Sequence, residues 1–293
     1  MIGNRGRLHS APKVVRRLAP ASLGAMIGLV IGAAPAAQAR PAPNPEFEPF
    51  ADCPVTVKHV SQCLVATTTS GEFQLANKTV PITKPIVLQG GTVEGTHVLV
   101  PAADGNTLSR TPLTVPGGLT GIEGLPLGGE VIAVTELAGP VEVFAENLTG
   151  RGPAVKLPVR VKLENPILGE ACSVGSEAEP ILLQLTTGTT KPPPPAKPIS
   201  GNPGTASLNP ALDIVTISGT SLVDNTFAAP AVSGCGGALL GPLLDTAVDL
   251  QVGLPAAAGA STAVLNGTLQ ESDVKDVKKA KVVPRKAKAP ARG

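Results

Sequence analysis

The sequence predicts an all-β protein: an antiparallel β-sandwich or barrel-like body with long Gly- and Pro-rich loops and at most one or two short helices. Short β-branched runs of period two, separated by Gly, Asn and Ser, are typical of antiparallel strands. The chain of 293 residues contains 33 Gly and 31 Pro, which interrupt it too often for long helices. Trp and Tyr are absent and Phe occurs five times, so the core must be largely aliphatic.

The segment 53–91 shows the strand pattern most plainly. A β-branched run at 64–69 stops at Ser70-Gly71 and resumes at 72–75, which predicts two strands with a break between them. Further short runs follow and end at Gly90-Gly91. The segment therefore predicts an antiparallel meander.

Later strands are predicted wherever apolar residues form a short run or alternate with polar ones: 97–100, 131–137, 141–146, 157–164, 181–185, 214–219 and 263–269. The alternation is clearest at 141–146 and 157–164, so one face of each should contact solvent. Residues 111–129 show no clear periodicity. The best helix candidate is 239–248, two or three turns long.

Residues 1–39 have the layout of a secretory signal peptide. Five cations precede an apolar run at 23–34, and Ala37-Gln38-Ala39 predicts cleavage after Ala39. The alternative is an uncleaved membrane anchor, although the run is shorter than the ~20 residues that span a bilayer. Arg16-Arg17 suggests a twin-arginine signal but lacks its flanking pattern. We expect the mature chain to be secreted, and either released or held at the envelope by non-covalent contacts.

All four cysteines follow the expected cleavage site, and an even number in an exported chain predicts disulfides. We expect the pairs Cys53–Cys63, which are close in sequence, and Cys172–Cys235, the two that remain. A metal site is a weaker interpretation, because the chain has no CxxC motif. No metal or cofactor is predicted.

The predicted domain organisation follows the composition. A proline-rich lead-in occupies 40–49, and one disulfide-linked β domain, with two packed sheets or subdomains as an alternative, occupies 50–270. The run Pro192-Pro193-Pro194-Pro195 alone would mark a linker. Because Cys172–Cys235 would join the chain on both sides of it, we expect 191–198 to be a stiff loop within that domain. A disordered basic tail is expected at 271–293.

Charge argues against a nucleic-acid partner. Of the 24 Lys and Arg residues, five precede residue 40 and eight follow residue 270. Of the 22 Asp and Glu residues, three follow residue 270. The 11 cations and 19 acids that remain give 40–270 a net charge of −8. Phosphate binding needs clustered cations, and base or sugar stacking is usually provided by aromatic rings.

The basic tail is the one candidate binding segment. It could attach the protein to anionic envelope polymers or to a lipid surface; the alternative is a solvated tail without a partner. No protein partner is indicated. The candidate residues are Lys275, Lys278, Lys279, Lys281, Arg285, Lys286 and Lys288.

The sequence contains no catalytic motif that we recognise. There is no G-x-S-x-G, HExxH, P-loop or EF-hand spacing. Ser221 is expected to lie in a strand, and His59 and His97 to be surface or capping residues. Asp245 and Asp249 could share a helix face, where we expect both to be solvated.

Several runs resemble uncharacterised secreted proteins of actinobacteria, and the likeness spans about residues 50–270. The resemblance implies export and a bacterial source but no activity. The runs that carry it are Phe50-Ala51-Asp52-Cys53-Pro54, Thr67-Thr68-Thr69-Ser70-Gly71-Glu72-Phe73, Leu88-Gln89-Gly90-Gly91, Leu185-Thr186-Thr187-Gly188-Thr189-Thr190 and Ile199-Ser200-Gly201-Asn202-Pro203-Gly204.

Three functions are compatible with the sequence. The first is a secreted, non-enzymatic interaction or structural protein of the extracellular space or cell envelope. The second is an extracellular carrier of a small apolar ligand, because an aliphatic β body could enclose a cavity; a solidly packed interior would count against it. The third is a secreted hydrolase without a sequence motif, in which His59 or His97 would lie beside a serine and a carboxylate.

Overall fold

The computed structural model describes residues 44–118, 129–280 and 282, so the expected signal peptide lies outside it. The described residues form two open antiparallel sheets of seven strands each, which share one hydrophobic core. This confirms the predicted all-β sandwich. The first sheet contains β1 (Val60–Leu75), β2 (Lys78–Pro81), β3 (Ile86–Val93), β4 (Val100–Pro101), β11 (Thr205–Asn209), β12 (Ile214–Asp224) and β14 (Thr262–Asp273).

The second sheet lies against the inner face of the first. Its strands are β5 (Pro112–Val115), β6 (Val131–Leu137), β7 (Glu142–Val143), β8 (Val155–Glu164), β9 (Ser173–Val174), β10 (Ile181–Leu185) and β13 (Val232–Ser233). The described helices are α1 (Gly237–Val252), α2 (Val274–Lys279) and 3-10 turns at Pro45–Phe50 and Ala145–Thr149.

The strand β1 organises the first sheet. The strand order is β11-β12-β14-β1-β3-β4, and β2 pairs with the second half of β1. The predicted break at Ser70-Gly71 is wrong, because β1 continues through it with a bulge between Thr68 and Ser70. Gly71 has a φ of +122°, and a Cβ there would collide with the Val264 carbonyl, so glycine serves the bulge rather than a turn.

The strand β8 is the centre of the second sheet. It pairs with β6 and β7 on one side and with β9 and β10 on the other. As the sequence predicted, its side chains alternate in burial. The buried set faces the first sheet and comprises Val155, Leu157, Val159, Val161 and Leu163.

The outer face of the first sheet has its own small core. Phe47 and Phe50 of the N-terminal 3-10 turn pack there with Val274 and Val277 of α2. The Cys53–Cys63 disulfide belongs to the same cluster. The described chain is therefore ordered beyond residue 270, through the end of β14 and α2, where the sequence predicted a disordered tail; residues 283–293 lie outside the described part.

The second disulfide, Cys172–Cys235, joins the residue before β9 to the segment before α1 and closes a sequence separation of 63 residues. Both predicted pairings are thus confirmed, and they indicate folding in an oxidising compartment. The helix α1 itself has 16 residues, six more than the predicted 239–248.

Most of the other differences between the predicted and the observed strands concern short strands. The predicted strand at 97–100 is reduced to β4, and that at 141–146 to β7 followed by the second 3-10 turn. The strands β5, β9, β11 and β13 were not predicted. Three of them have two or four residues, too short to show a period.

Candidate functional site

An apolar cavity of about 260 Å³ lies between the two sheets and beneath α1; we call it the inter-sheet cavity. Both sheets and the helix contribute to its wall, so it exists only in the assembled fold. Its apolar lining consists of Phe73, Leu75, Val80, Leu113, Val115, Val131, Ala133, Val161, Leu163, Leu168, Val174, Leu244, Ala247, Val248 and Val252, with Gly118 at its edge.

The regular spacing of residues along β6 and α1 explains why their side chains lie together at the cavity. Along β6, Val131, Ala133 and Thr135 are two residues apart and therefore share one face of the strand. Along α1, Leu244, Val248 and Val252 are four residues apart and share one face of the helix.

The cavity remains open because medium-sized side chains meet across it. Packed sheets are separated by about 10 Å, a gap that large side chains fill efficiently. Here the second sheet offers Ala133 and several valines, and Trp and Tyr are absent from the chain. The scarcity of aromatic residues in the sequence is thus the one signal that pointed towards unfilled space.

A second apolar cavity of about 90 Å³ lies further between the sheets. Phe73, Leu113 and Thr135 line both cavities, so these three side chains form the partition between them. The phenyl ring of Phe73 stacks on Phe227, which is buried in the shared core. Together the two spaces form an elongated apolar site.

Few of the described residues that line the inter-sheet cavity are polar, and one of them is charged. Lys78 in β2 is half-buried, and no carboxylate of the described residues forms an ion pair with it. Gln251 of α1 is exposed, and Thr135 lies within the site. Lys78 and Gln251 therefore mark the side at which the cavity meets solvent.

The helix over the cavity is held by two carboxylates. Asp245 accepts a hydrogen bond of 2.8 Å from the Cys235 backbone N–H, and Asp249 accepts one of 2.8 Å from that of Val232. The expectation that both aspartates are merely solvated is therefore wrong. The outer face of α1 exposes Leu240, Leu243 and Leu250 by 53%, 69% and 79%.

A larger but open polar groove of about 900 Å³ runs beside β5 and β6. Three of its charges form one cluster, because Glu136 pairs with Arg110 at 3.2 Å and with Arg160 at 2.8 Å. Asp104 and Glu177 also line the groove, so its lining is acidic by one charge. The inter-sheet cavity is the stronger candidate, since both sheets and α1 enclose it on three sides and its lining is apolar.

The structure places the candidate catalytic residues apart. His97 stacks on Phe144, with ring centroids 4.2 Å apart, and its Nε2 lies 3.9 Å from a Glu146 oxygen. His59 is exposed at a positive φ of 68°. Ser221 lies in β12, as predicted, and exchanges backbone hydrogen bonds with Asn202. The hydrogen bonds of the described residues join neither histidine to a serine.

Three of the candidate binding residues of the basic tail lie in the part of the chain that the structure describes. Lys275 contacts Asp273 at 2.6 Å, and this hydrogen bond raises the pKa of the lysine; Lys279 contacts Asp276 at 2.7 Å. Lys278 is exposed on α2. The remaining candidates, Lys281, Arg285, Lys286 and Lys288, lie outside the described residues.

Carboxylate oxygens of Asp213, Asp273 and Asp276 lie within 4.8 Å of one another. Two of these acids are those paired with lysines, and the cluster is at the protein surface. Exposed acidic groups of this kind are common, and this one supports no metal assignment.

In the described part of the chain, no helix combines the length and apolarity needed to cross a membrane. Comparison with protein-family models, with curated proteins and with solved structures gave no match. The candidate site is accordingly interpreted from its own geometry.

Proposed function

We propose that this chain is a secreted, non-enzymatic binding protein that carries a small apolar ligand between its two sheets. The observation that supports this most is the inter-sheet cavity, which is enclosed by both sheets and α1 and lined almost wholly by aliphatic side chains. Ligand sites in proteins are concave and mostly apolar, with a few polar groups that orient the ligand.

Energetics favour occupation of this space. The cavity opens to solvent at its mouth, but water gains few hydrogen bonds on an aliphatic wall. An apolar ligand would remove apolar surface from water, which contributes about 25 cal/mol per Å² buried.

Export is part of the proposal and rests on the sequence. The signal-like segment 1–39, the two disulfides and the resemblance to secreted actinobacterial proteins support it. Attachment to an anionic envelope surface through the end of the chain remains a prediction. Removal of 283–293 alone would test it, since α2 and Val282, which pack against the outer core, would stay in place.

The carrier proposal is tested by blocking the cavity. Ala133 is buried in its wall, so Ala133→Phe should fill it, whereas Ile132→Phe alters the adjacent residue of β6, which does not line it. We expect the uncharged fluorescent probe N-phenyl-1-naphthylamine to bind the delipidated protein and Ile132→Phe, and to bind Ala133→Phe at least about tenfold more weakly. Circular dichroism should show that both variants are folded.

Mass spectrometry of the protein purified under native conditions provides a second readout. We expect an adduct of a small apolar molecule in the wild type that is lost in Ala133→Phe. Failure of the wild type to bind the probe, or equal binding by a folded Ala133→Phe, would contradict the carrier function.

A further inference from the structure

Among the described residues that line the inter-sheet cavity, Lys78 is the one charged side chain. It follows the turn after β1, and its position in β2 is opposite Leu75, which also lines the cavity. The long aliphatic stem of a lysine can lie along an apolar wall while its ammonium group stays in water. A half-buried Lys78 at the rim meets this description.

The other nearby charges leave Lys78 available. In the described residues no carboxylate pairs with it, and the acids of α1 are already engaged. Asp245 and Asp249 accept backbone hydrogen bonds from Cys235 and Val232. Gln251, on the last turn of α1, also lines the cavity and is exposed, and its amide N–H groups can donate to an anion.

We propose, on the basis of the carrier function, that the ligand is a single-chain anionic amphiphile of the fatty-acid class, with its carboxylate at Lys78 and Gln251 and its chain between the sheets. A cationic head group would be repelled at this rim. An uncharged head group would leave the ammonium group without the partner that a carboxylate provides.

Cavity size limits the length of the chain. A methylene group occupies about the same volume as a water molecule in the liquid, about 30 Å³. The inter-sheet cavity of about 260 Å³ therefore holds about nine carbons, and Phe73 separates it from a further space of about 90 Å³. We expect affinity to rise with chain length up to about nine carbons and then to level off.

The test compares three ligands of equal chain length by isothermal titration calorimetry below their micelle concentrations: dodecanoate, 1-dodecanol and dodecyltrimethylammonium. We expect dodecanoate to bind the delipidated wild type at least about threefold more tightly than dodecanol and about tenfold more tightly than the ammonium amphiphile. Lys78→Glu should weaken dodecanoate at least about tenfold and leave dodecanol within about twofold.

Lys84→Ala is the matched control, because Lys84 is exposed in the loop after β2 and does not line the cavity. It should change no affinity by more than about twofold. If dodecanol binds as tightly as dodecanoate, or if Lys78→Glu affects both equally, the head-group assignment is wrong while the carrier function stands. If the wild type binds none of the three ligands, both proposals fail.

Discussion

The rings of Phe73 and Phe227 lie parallel, with 3° between their planes and 5.8 Å between their centroids. Phe73 separates the two apolar cavities, and Phe227 supports it from within the core. The stacked pair therefore determines how far the inter-sheet cavity extends, and the two phenylalanines should respond differently to substitution.

Phe73→Ala should join the two cavities and move the preferred chain length of a bound amphiphile upwards. Phe227→Ala, at a fully buried position that lines neither cavity, should instead cost about 3–5 kcal/mol of unfolding free energy. Calorimetry with amphiphiles of increasing chain length measures the effect of Phe73→Ala on ligand preference. Urea denaturation measures the effect of Phe227→Ala on the free energy of unfolding. An unchanged chain-length preference in a folded Phe73→Ala would show that the partition does not limit the ligand.

Asp249 should matter to the attachment of α1 through its hydrogen bond to the Val232 backbone. Asp249→Ala leaves that N–H without its partner and should cost about 1–3 kcal/mol. Asp249→Asn keeps a carbonyl oxygen at the same place and should restore most of the loss. Leu250→Ala, next in the helix and 79% exposed, should change stability by less than about 0.5 kcal/mol. Urea denaturation separates these cases, and equal stability of Asp249→Ala and wild type would contradict the anchoring role.

The two disulfides should contribute unequally. The loop-entropy relation assigns about 3 kcal/mol to Cys53–Cys63, with a separation of 10 residues, and about 4 kcal/mol to Cys172–Cys235, with 63. The double substitution Cys172→Ser with Cys235→Ser should therefore destabilise the protein more than Cys53→Ser with Cys63→Ser. It should also weaken probe binding, because Cys235 precedes Gly236, the N-cap of the helix that covers the cavity. Guanidinium denaturation compares the free energies of unfolding of the two double variants. If the variant without Cys53–Cys63 proved the less stable, the loop-entropy ranking would be wrong.

Glu271 should make stability depend on pH. Burial raises its pKa above the usual 4.5, and the Asp273 carboxylate adds to the shift. Its neighbours in register, Leu64 and Val215, offer it no charge. The folded state therefore holds the proton of the Glu271 carboxyl more tightly than the unfolded state does. The stability that this proton contributes is fully present below pH 4.5. It is lost as the pH rises through the raised pKa of the folded state.

Glu271→Gln should therefore be more stable than wild type near neutral pH, and the difference should vanish below pH 4.5. Thermal denaturation of both proteins at a series of pH values measures the difference in stability. Glu94→Gln is the control, because Glu94 is exposed. A Glu271→Gln variant that is less stable than wild type at pH 7 would show that the ionised carboxylate has a favourable partner.

Local patterns predicted the central elements well. The alternation in β8, the bounds of β6 and the pairing of the cysteines follow from neighbouring residues and from their number. The bulge in β1 was missed, because Ser70-Gly71 has the composition of a turn and only the partner strand β14 shows that pairing continues.

The site could be predicted only in outline. Aliphatic composition suggested a cavity, but its walls come from distant parts of the chain and meet only in the folded molecule. Lys78 begins β2 directly after the Ala76-Asn77 turn, and nothing in the local sequence distinguishes it; its place at the cavity depends on α1, which follows much later in the chain. Asp245 and Asp249 were misjudged because their backbone partners precede α1 and are not helical neighbours.

The last strand of the described residues, β14, lies inside the first sheet, between β12 and β1. A nascent polypeptide thus lacks the segment that links the two halves of this sheet until residue 273 has been synthesised. Truncated products would leave β1 and β12 with unpaired edges, which promote aggregation and proteolysis. If the chain is exported, as we propose, this sheet can be completed only after residue 273 has crossed the membrane.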